Sequence, residues 1–184
     1  MEKQSISDIY ANNDKIHEGT RQIAASLSDE QAKHLPDGEK WTIAHIIEHV
    51  AIVQDGMAKI SAKLLNEAKN ADKKSNGEIV LSESFRQKAV EAQQLKFEAP
   101  ERIHPTGSQT IAESLVKMAE TRRLLEDLRP LFETVECSDF KFPHPFMGEL
   151  TAHEWLTLIG GHEARHHRQI KSMLEKSEKP EPQA

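Results

Sequence analysis

Apolar residues recur every three or four positions along two long stretches in the first half of the chain. The first stretch begins after Ser5, where Ser-Ile-Ser-Asp is typical of an N-terminal cap, and its pattern predicts a helix to about Ser28. The second begins near Thr42, after a Pro-Asp-Gly turn signal. One side of the second stretch carries Ile43, Ile46, Ile47, Val50, Val53, Met57, Ile60 and Leu64. Both patterns predict amphipathic helices.

Two further helices are predicted in the second half, each starting at a capping box. In this motif a Thr side chain and a Glu three residues later bind each other's backbone amides. One box is Thr110–Glu113, and its helix is expected to be interrupted at Pro130. The other is Thr151–Glu154, and its helix is expected to fray into a charged tail from Lys176. The aromatic and proline-rich segment 140–148 is expected to be a packed loop.

A long connection separates the second and third of these helices. Residues 66–77 are polar and predict a solvated linker, and residues 82–97 carry a weaker apolar stripe that predicts an accessory helix. Residues 100–108 are expected to be a loop. We see no internal repeat and no alternating strand pattern of useful length. The chain is therefore predicted to be all-α: a four-helix bundle with an accessory helix and long crossover loops.

Length and charge narrow the class of protein. With 184 residues, we expect a single helical-bundle domain over 1–184, with an ordered core of roughly 5–176 and a tail at 177–184. The net charge of -6 lacks the basic footprint of nucleic-acid binding. No stretch approaches the roughly 18 apolar residues of a membrane span, and the start lacks a signal peptide's apolar core. We expect a soluble cytoplasmic protein without nucleic-acid or membrane partners.

The chain has ten histidines and one cysteine, and helix geometry shows which histidines share a face with the apolar residues. Residues four apart share a helix face, so His162 and His166 both fall on the apolar stripe of the last helix. His49 falls on the stripe of the second helix, with His45 one turn earlier. Buried imidazoles need partners for both ring nitrogens, and one divalent cation accepts a nitrogen from each of several rings. The pattern favours a metal site, and hydrogen-bonded core histidines without metal are the alternative.

The last helix also contains a literal H-E-x-x-H, the zinc-peptidase motif, at residues 162–166. No histidine follows His167, and no predicted sheet edge could hold a peptide, so we do not favour a peptidase. His167 lies about 100° around the helix from His166 and is a poorer ligand candidate. Surface or packing roles are expected for the loop histidines His34, His104 and His144. Two helical histidines receive no role, His17 and His153.

Three segments, in this order, resemble the DinB/YfiT-like superfamily of metal-dependent enzymes, which are four-helix bundles with a three-histidine site. The segments are Trp41–His49, Ala99–Gly107 and His144–Ile170. The last is similar to the family's pre-helix loop and its His-x-x-x-His-x-x-Gln-Ile helix. The resemblance implies that the metal ligands are His49, His162 and His166. Zinc is the expected ion, with nickel or iron as alternatives.

The resemblance implies metal-dependent chemistry on a small molecule. The reaction would be hydrolysis or the transfer of a low-molecular-weight thiol, such as bacillithiol or mycothiol, to an electrophile; some relatives catalyse a thiol-dependent isomerisation. Fold and ligands do not choose among these reactions. Two alternatives from other classes stay open. One is a non-catalytic, metal-stabilised bundle or small-molecule binding module. The other is an interaction protein whose exposed helix faces form a homodimer.

Several residues near the predicted ligands are candidates for further roles. His45 departs from the family pattern, since relatives often carry an acidic or other polar residue there; it could be a fourth ligand, an outer group or a proton carrier. Glu163 is a candidate catalytic proton-transfer group, with a solvent-facing position as the alternative, and Gln169 lies on the ligand face. Cys137 is expected to be a packing residue. Lesser candidates are His167 for proton transfer, and Arg165 and Arg168 for anion contacts.

Overall fold

The computed structural model describes residues 4–75, 79, 81–93, 95 and 98–177. In chain order the elements are α1 (Ile6–Ser26), α2 (Asp29–Lys33), α3 (Ile43–Asn70), α4 (Glu83–Ala92), a 3-10 turn (Glu101–Ile103), α5 (Ile111–Thr134), β1 (Phe142–His144), β2 (Gly148–Leu150) and α6 (Ala152–Ser177). The four long helices α1, α3, α5 and α6 carry the fold, which confirms the all-α prediction. None of the described helices is long and apolar enough to cross a membrane.

Each long helix packs mainly against two others. Helix α3 contacts α5 and α6, and α1 contacts the same two helices from the other side. Helices α1 and α3 therefore lie on opposite sides of the α5–α6 pair, although they are consecutive long helices in the chain. This arrangement brings α6 next to α3, from which it is separated by about half the sequence.

The predicted helix starts are confirmed by their caps. The side chains of Ser5, Thr42 and Thr110 each accept a hydrogen bond from the amide three residues later, and each cap is reciprocated. At the start of α6, the Thr151 amide donates to Glu154 Oε2 at 2.9 Å. Because these short-range bonds use only neighbouring residues, the sequence pattern alone was enough to locate them.

Helix ends were predicted less well. Helix α1 ends at Ser26 rather than at Ser28, because Ser28 instead caps the short helix α2. Helix α3 continues to Asn70, into the segment predicted to be a linker from residue 66. Helix α4 covers Glu83–Ala92, a shorter range than the predicted 82–97. Residues 94, 96 and 97 of that range lie outside the described residues, as do residues 178–184 of the predicted tail.

The predicted interruption at Pro130 was wrong, because α5 continues to Thr134. Proline has no N–H, so the Glu126 carbonyl loses its helical donor, but both residues are exposed and water can replace the bond. On the opposite face Leu128 and Phe132 are buried and hold the last turn against the bundle. Packing therefore outweighs the local cost of the proline.

The segment predicted as a packed loop forms a small antiparallel hairpin. Strands β1 and β2 pair with Pro143 opposite Glu149, and Gly148 adopts a φ of 82°. His144 closes the turn, because its Nδ1 accepts from the amides of Phe146 and Met147 at 3.2 and 3.0 Å. Strands of three residues are too short to leave a visible alternating pattern, so no strand could be predicted here.

The buried apolar residues form two clusters rather than one. The first includes Tyr10, Leu65, Phe132 and Leu156, and the second includes Ile46, Met118, Ile170 and Met173. Along α1, α5 and α6, buried polar residues lie between the stretches that belong to each cluster. These residues form what we call the polar layer, with contributions from all four long helices: Asn13, His17, Thr20, His49, Gln54, Thr121, Glu163 and His166.

Gly160 allows α1 and α6 to approach closely at the edge of the polar layer. A Cβ at this position would overlap the side-chain amide of Asn13, which donates to the Leu156 carbonyl at 3.0 Å. A Cβ at Gly161 would meet nothing within 4 Å. We expect Gly160→Ala to lower the free energy of unfolding by about 1–3 kcal/mol through overpacking. The measurement is urea unfolding followed by circular dichroism.

Gly161→Ala is the matched control for this substitution. It adds the same methyl group to an exposed position of the same helix, where alanine is favoured over glycine by about 1 kcal/mol. The control is expected to be neutral or stabilising. Equal stabilities for the two variants would contradict the close approach at Gly160.

Cys137 is fully buried beside two residues of the core. Its Sγ lies 3.5 Å from His153 Nδ1, and His153 Nε2 lies 3.0 Å from the Phe132 carbonyl, to which it donates. Burial raises the pKa of the Cys137 thiol to about 11. We expect the folded protein to resist an aromatic disulfide reagent at pH 8 and the urea-unfolded protein to react with one equivalent. Rapid stoichiometric reaction of the folded protein would contradict this placement.

Candidate metal centre

His49 on α3 is buried, and the backbone of the loop before α5 fixes the orientation of its ring. It is 2% exposed, and its Nδ1 lies 2.8 Å from the carbonyl oxygen of Ile103. A carbonyl only accepts, so Nδ1 carries the proton and donates, which leaves the lone pair on Nε2. The Trp41 ring packs against the imidazole with 4.8 Å between ring centroids. These two contacts therefore fix the direction in which the lone pair of His49 Nε2 points.

His166 on α6 is oriented in the same way by a side chain one turn further along. Its Nδ1 lies 3.0 Å from Gln169 Oε1, and Gln169 Nε2 donates to Glu39 Oε2 at 3.2 Å. A carboxylate only accepts, so the amide NH₂ must face Glu39 and the amide oxygen must face the imidazole. His166 Nδ1 therefore carries the proton, and its Nε2 keeps a lone pair.

His162 completes a cluster in which one nitrogen from each ring lies within 4.8 Å of the others. Its Nε2 is 3.2 Å from His166 Nε2, and the ring centroids of His49 and His162 are 5.2 Å apart. Two nitrogens that each bind one zinc ion at about 2.1 Å in a tetrahedral arrangement are roughly 3.4 Å apart. His162 Nδ1 is buried without a hydrogen-bond partner in the described part of the chain. The three residues fit a divalent cation.

Burial keeps all three imidazoles neutral, which is the form that binds metals. Burial lowers the pKa of His49, despite the opposing bond to Ile103. Burial, followed by the charge of His49, lowers the pKa of His166 to about 3. The pKa of His162 lies well below its usual value, chiefly through burial and then through His166 and His49. Because a cation binds a lone pair, the site needs no proton release from the rings at neutral pH.

The structure thus brings together the three residues predicted as ligands, and it places His45 elsewhere. His45 is the third residue of α3, and its Nδ1 accepts from the Thr42 amide at 3.4 Å as part of the helix cap. Its Nε2 lies beside Gly107, where an added Cβ would be 3.0 Å away. His45 is not in the described cluster, and its predicted role in proton transfer stays a prediction.

Glu163 is buried at 2% exposure, so the solvent-facing alternative was wrong. Its Oε2 accepts from Gln54 Nε2 at 2.6 Å, and its Oε1 accepts from the Thr20 hydroxyl. His17 Nδ1 lies 3.5 Å from the same Oε1. These contacts join α6 to α1 and α3 inside the polar layer. The H-E-x-x-H glutamate is thus bound to helix side chains, and its predicted catalytic role stays a prediction.

The other candidates near the ligands have local partners. Arg165 donates to the carbonyl oxygens of Ala92 and Leu95, the second at 2.7 Å, so it binds backbone beyond the end of α4. His167 Nε2 is hydrogen-bonded to Thr20, on the α1 side of α6. Arg168 is exposed. Two of the three predicted loop histidines bind backbone within their own segments, as His104 Nε2 does with the Ala99 carbonyl at 2.7 Å.

Sequence reasoning missed the groups that orient the ligands. Gln169 was placed on the ligand face, but Glu39 carried no signal because it belongs to a loop 130 residues away. The Ile103 carbonyl is a backbone atom, for which residue type gives no indication. The Trp41 ring contacts both His49 and His104, with 5.6 Å between the centroids of the second pair. Only the resemblance over Trp41–His49 and Ala99–Gly107 pointed to this part of the site.

Comparison with known proteins assigns the chain to a family. It is 29% identical over 160 residues to the uncharacterized protein YuaE of Bacillus subtilis (strain 168), a match that covers 83% of this chain and 89% of that protein. No solved structure matches the chain. The family model of the DinB superfamily matches residues 14–170, a range that includes all three clustered histidines, the whole of α3 and α5 and most of α1 and α6. The chain therefore belongs to the DinB superfamily.

Proposed function

We propose that this protein is a metal-dependent enzyme that acts on a small molecule, with His49, His162 and His166 as the ligands of one divalent cation. The observation that carries the proposal is the convergence of three imidazoles, two buried and one half-buried, one from α3 and two from α6, with one nitrogen of each within 4.8 Å of the others. Membership of the DinB superfamily supports it, since the family resemblance implies the same ligand set.

Three ligands leave room for an exchangeable group, which is typical of catalytic rather than structural zinc sites. When bound, a divalent cation held by three neutral imidazoles lowers the pKa of a water or thiol that reaches it, which suits hydrolysis or thiol transfer. The chain's own residues supply the geometry. The Ile103 carbonyl and Gln169 hold the His49 and His166 rings, so that both Nε2 lone pairs point toward the cluster.

A non-catalytic, metal-stabilised bundle is the second candidate. Two surface grooves are formed by the described residues, one along α3 and α5 and one along α1, α2 and α5. Neither groove is lined by a histidine of the cluster. If the cation has no adjoining substrate cavity, its contribution would be to cross-link α3 and α6 and to satisfy the polar nitrogens of the cluster.

Metal content tests the site itself. We expect protein purified without an affinity tag to hold about one divalent ion per chain, measured by inductively coupled plasma mass spectrometry. His49→Ala and His166→Ala should each lose most of that metal, because two imidazoles bind a divalent ion far more weakly than three. The control is His34→Ala, which removes an exposed imidazole from a loop. Unchanged metal in both site variants, with folding confirmed by circular dichroism, would reject the ligand set.

Activity separates the two candidate functions. The metal-loaded protein is screened with low-molecular-weight thiols plus an electrophilic acceptor, and in parallel with small esters and amides. An enzyme should turn over one of these classes, lose the activity with chelator and regain it with added metal. A protein that binds stoichiometric metal, gains thermal stability from it and turns over neither class would be the metal-stabilised bundle.

A further inference from the structure

Glu48 is a buried carboxylate that binds the loop before α5 and lies one residue before a proposed metal ligand. It is 1% exposed. Its Oε1 accepts from the Thr106 amide at 3.1 Å and from the Thr106 hydroxyl at 2.8 Å, and its Oε2 accepts from the Gly107 amide at 2.9 Å. All three donors belong to the loop, so the carboxylate fastens that loop to α3.

The chemistry of the contact suits a carboxylate and no other side chain. An ionised carboxylate is an acceptor at both oxygens, and its bonds to backbone N–H groups are stronger than those of a neutral acceptor. Glutamine would turn an NH₂ toward one of the three donors. The backbone amide of Thr106 or Gly107 would then lose its acceptor, at a cost comparable to a lost hydrogen bond.

The same loop supplies the acceptor that orients His49. Glu48 and His49 are consecutive on α3, and they bind the loop at two points, Glu48 at residues 106–107 and His49 at the Ile103 carbonyl. Only His104 and Pro105 separate these points, and His104 Nε2 is itself hydrogen-bonded to the Ala99 carbonyl at 2.7 Å. Gly107 has a φ of 72°, and an added Cβ there would lie 3.0 Å from His45 Nε2. A displacement of residues 106–107 would therefore move the Ile103 carbonyl relative to the imidazole.

We propose that Glu48 is a positioning residue of the metal centre: by fixing residues 106–107 it holds the Ile103 carbonyl against His49 Nδ1. The lone pair of His49 Nε2 then points at the cation. The inference rests on the proposed metal site. Outer partners of ligand histidines typically change metal affinity by about 10–100-fold when they are lost. Because Glu48 acts on His49 only through the loop, we expect its loss to change the metal affinity by the lower part of that range.

Two variants and one control test this role. Glu48→Gln keeps the shape of the side chain and removes one acceptor. Thr106→Val keeps the backbone amide bond to Glu48 and removes the hydroxyl, which binds Glu48 at 2.8 Å and Ser108 Oγ at 2.6 Å, at an exposed residue whose change leaves the core intact. The control is Glu154→Gln, because Glu154 is equally buried and also accepts backbone and hydroxyl protons, but from Ser82 and Thr151.

The first readout needs no metal. In metal-free protein the proton on His49 Nδ1, bound to the Ile103 carbonyl, should give a protected signal in ¹H–¹⁵N spectra of the imidazoles. We expect Glu48→Gln to lose this signal or to speed the exchange of its proton with water at least tenfold. In Thr106→Val we expect a smaller increase in the exchange rate. Glu154→Gln should leave the signal in place while lowering stability. A purely structural role for Glu48 would move stability alone.

The second readout is Co²⁺ affinity and the visible spectrum of the bound ion. We expect Glu48→Gln to weaken Co²⁺ binding about tenfold and to alter the spectrum, because the direction of one ligand changes. The inference would be overturned if both Glu48→Gln and Thr106→Val kept the wild-type imidazole signal and the wild-type Co²⁺ spectrum, and bound Co²⁺ within twofold of the wild-type affinity. If Glu48→Gln fails to fold, Thr106→Val decides. If the wild-type protein binds no Co²⁺, the proposed metal site fails, and the metal-free signal still decides whether Glu48 positions His49.

Discussion

Each of the four long helices buries at least one polar side chain in the polar layer, and the partners that these groups need govern how the helices pack. A bundle of this size could bury one continuous apolar core, but here imidazole, amide, hydroxyl and carboxylate groups divide it into two clusters. Each such group costs free energy unless it has a partner, and a buried carboxylate costs more than a neutral group. The layer is therefore stable only when the helices meet in one register. Glu163 shows this most clearly, since its partners Thr20 and Gln54 come from two other helices.

The layer has two sides with different character, and α6 contributes to both. On the side of α1, Glu163 and His167 are hydrogen-bonded within the protein, through Thr20. On the side of α3, His162 and His166 face His49, and their Nε2 atoms lie 3.2 Å apart. The bonds of Glu163 to Thr20 and Gln54 fix the position of α6, so the two imidazoles of α6 are held at a fixed distance from His49. The proposed cation site therefore lies on the α3 side of α6, while the hydrogen-bonded network lies on the α1 side.

The site is also held from outside the bundle, which explains why its geometry could not be derived from helix periodicity alone. The apolar stripes of the long helices identified which faces turn inward, in keeping with roughly 3.6 residues per turn. They identified His49, His162 and His166, while the cap at Ser5 and the two capping boxes located the starts of α1, α5 and α6. They could not identify the Ile103 carbonyl, Glu39 or the Thr106–Glu48 contact, because each of these bonds joins residues more than 50 positions apart. The same limit explains the error at Pro130, where burial of Phe132 outweighs a local signal.

Short-range periodicity and the chemistry of single side chains were enough to predict the helical class, the inward faces of the four long helices and the residue types able to bind a cation. Packing of the folded chain placed α6 beside α3 and turned Glu163 toward α1. It also decided that a hairpin precedes α6. These outcomes depend on which surfaces are buried together, and burial is a property of the packed chain rather than of any segment within it.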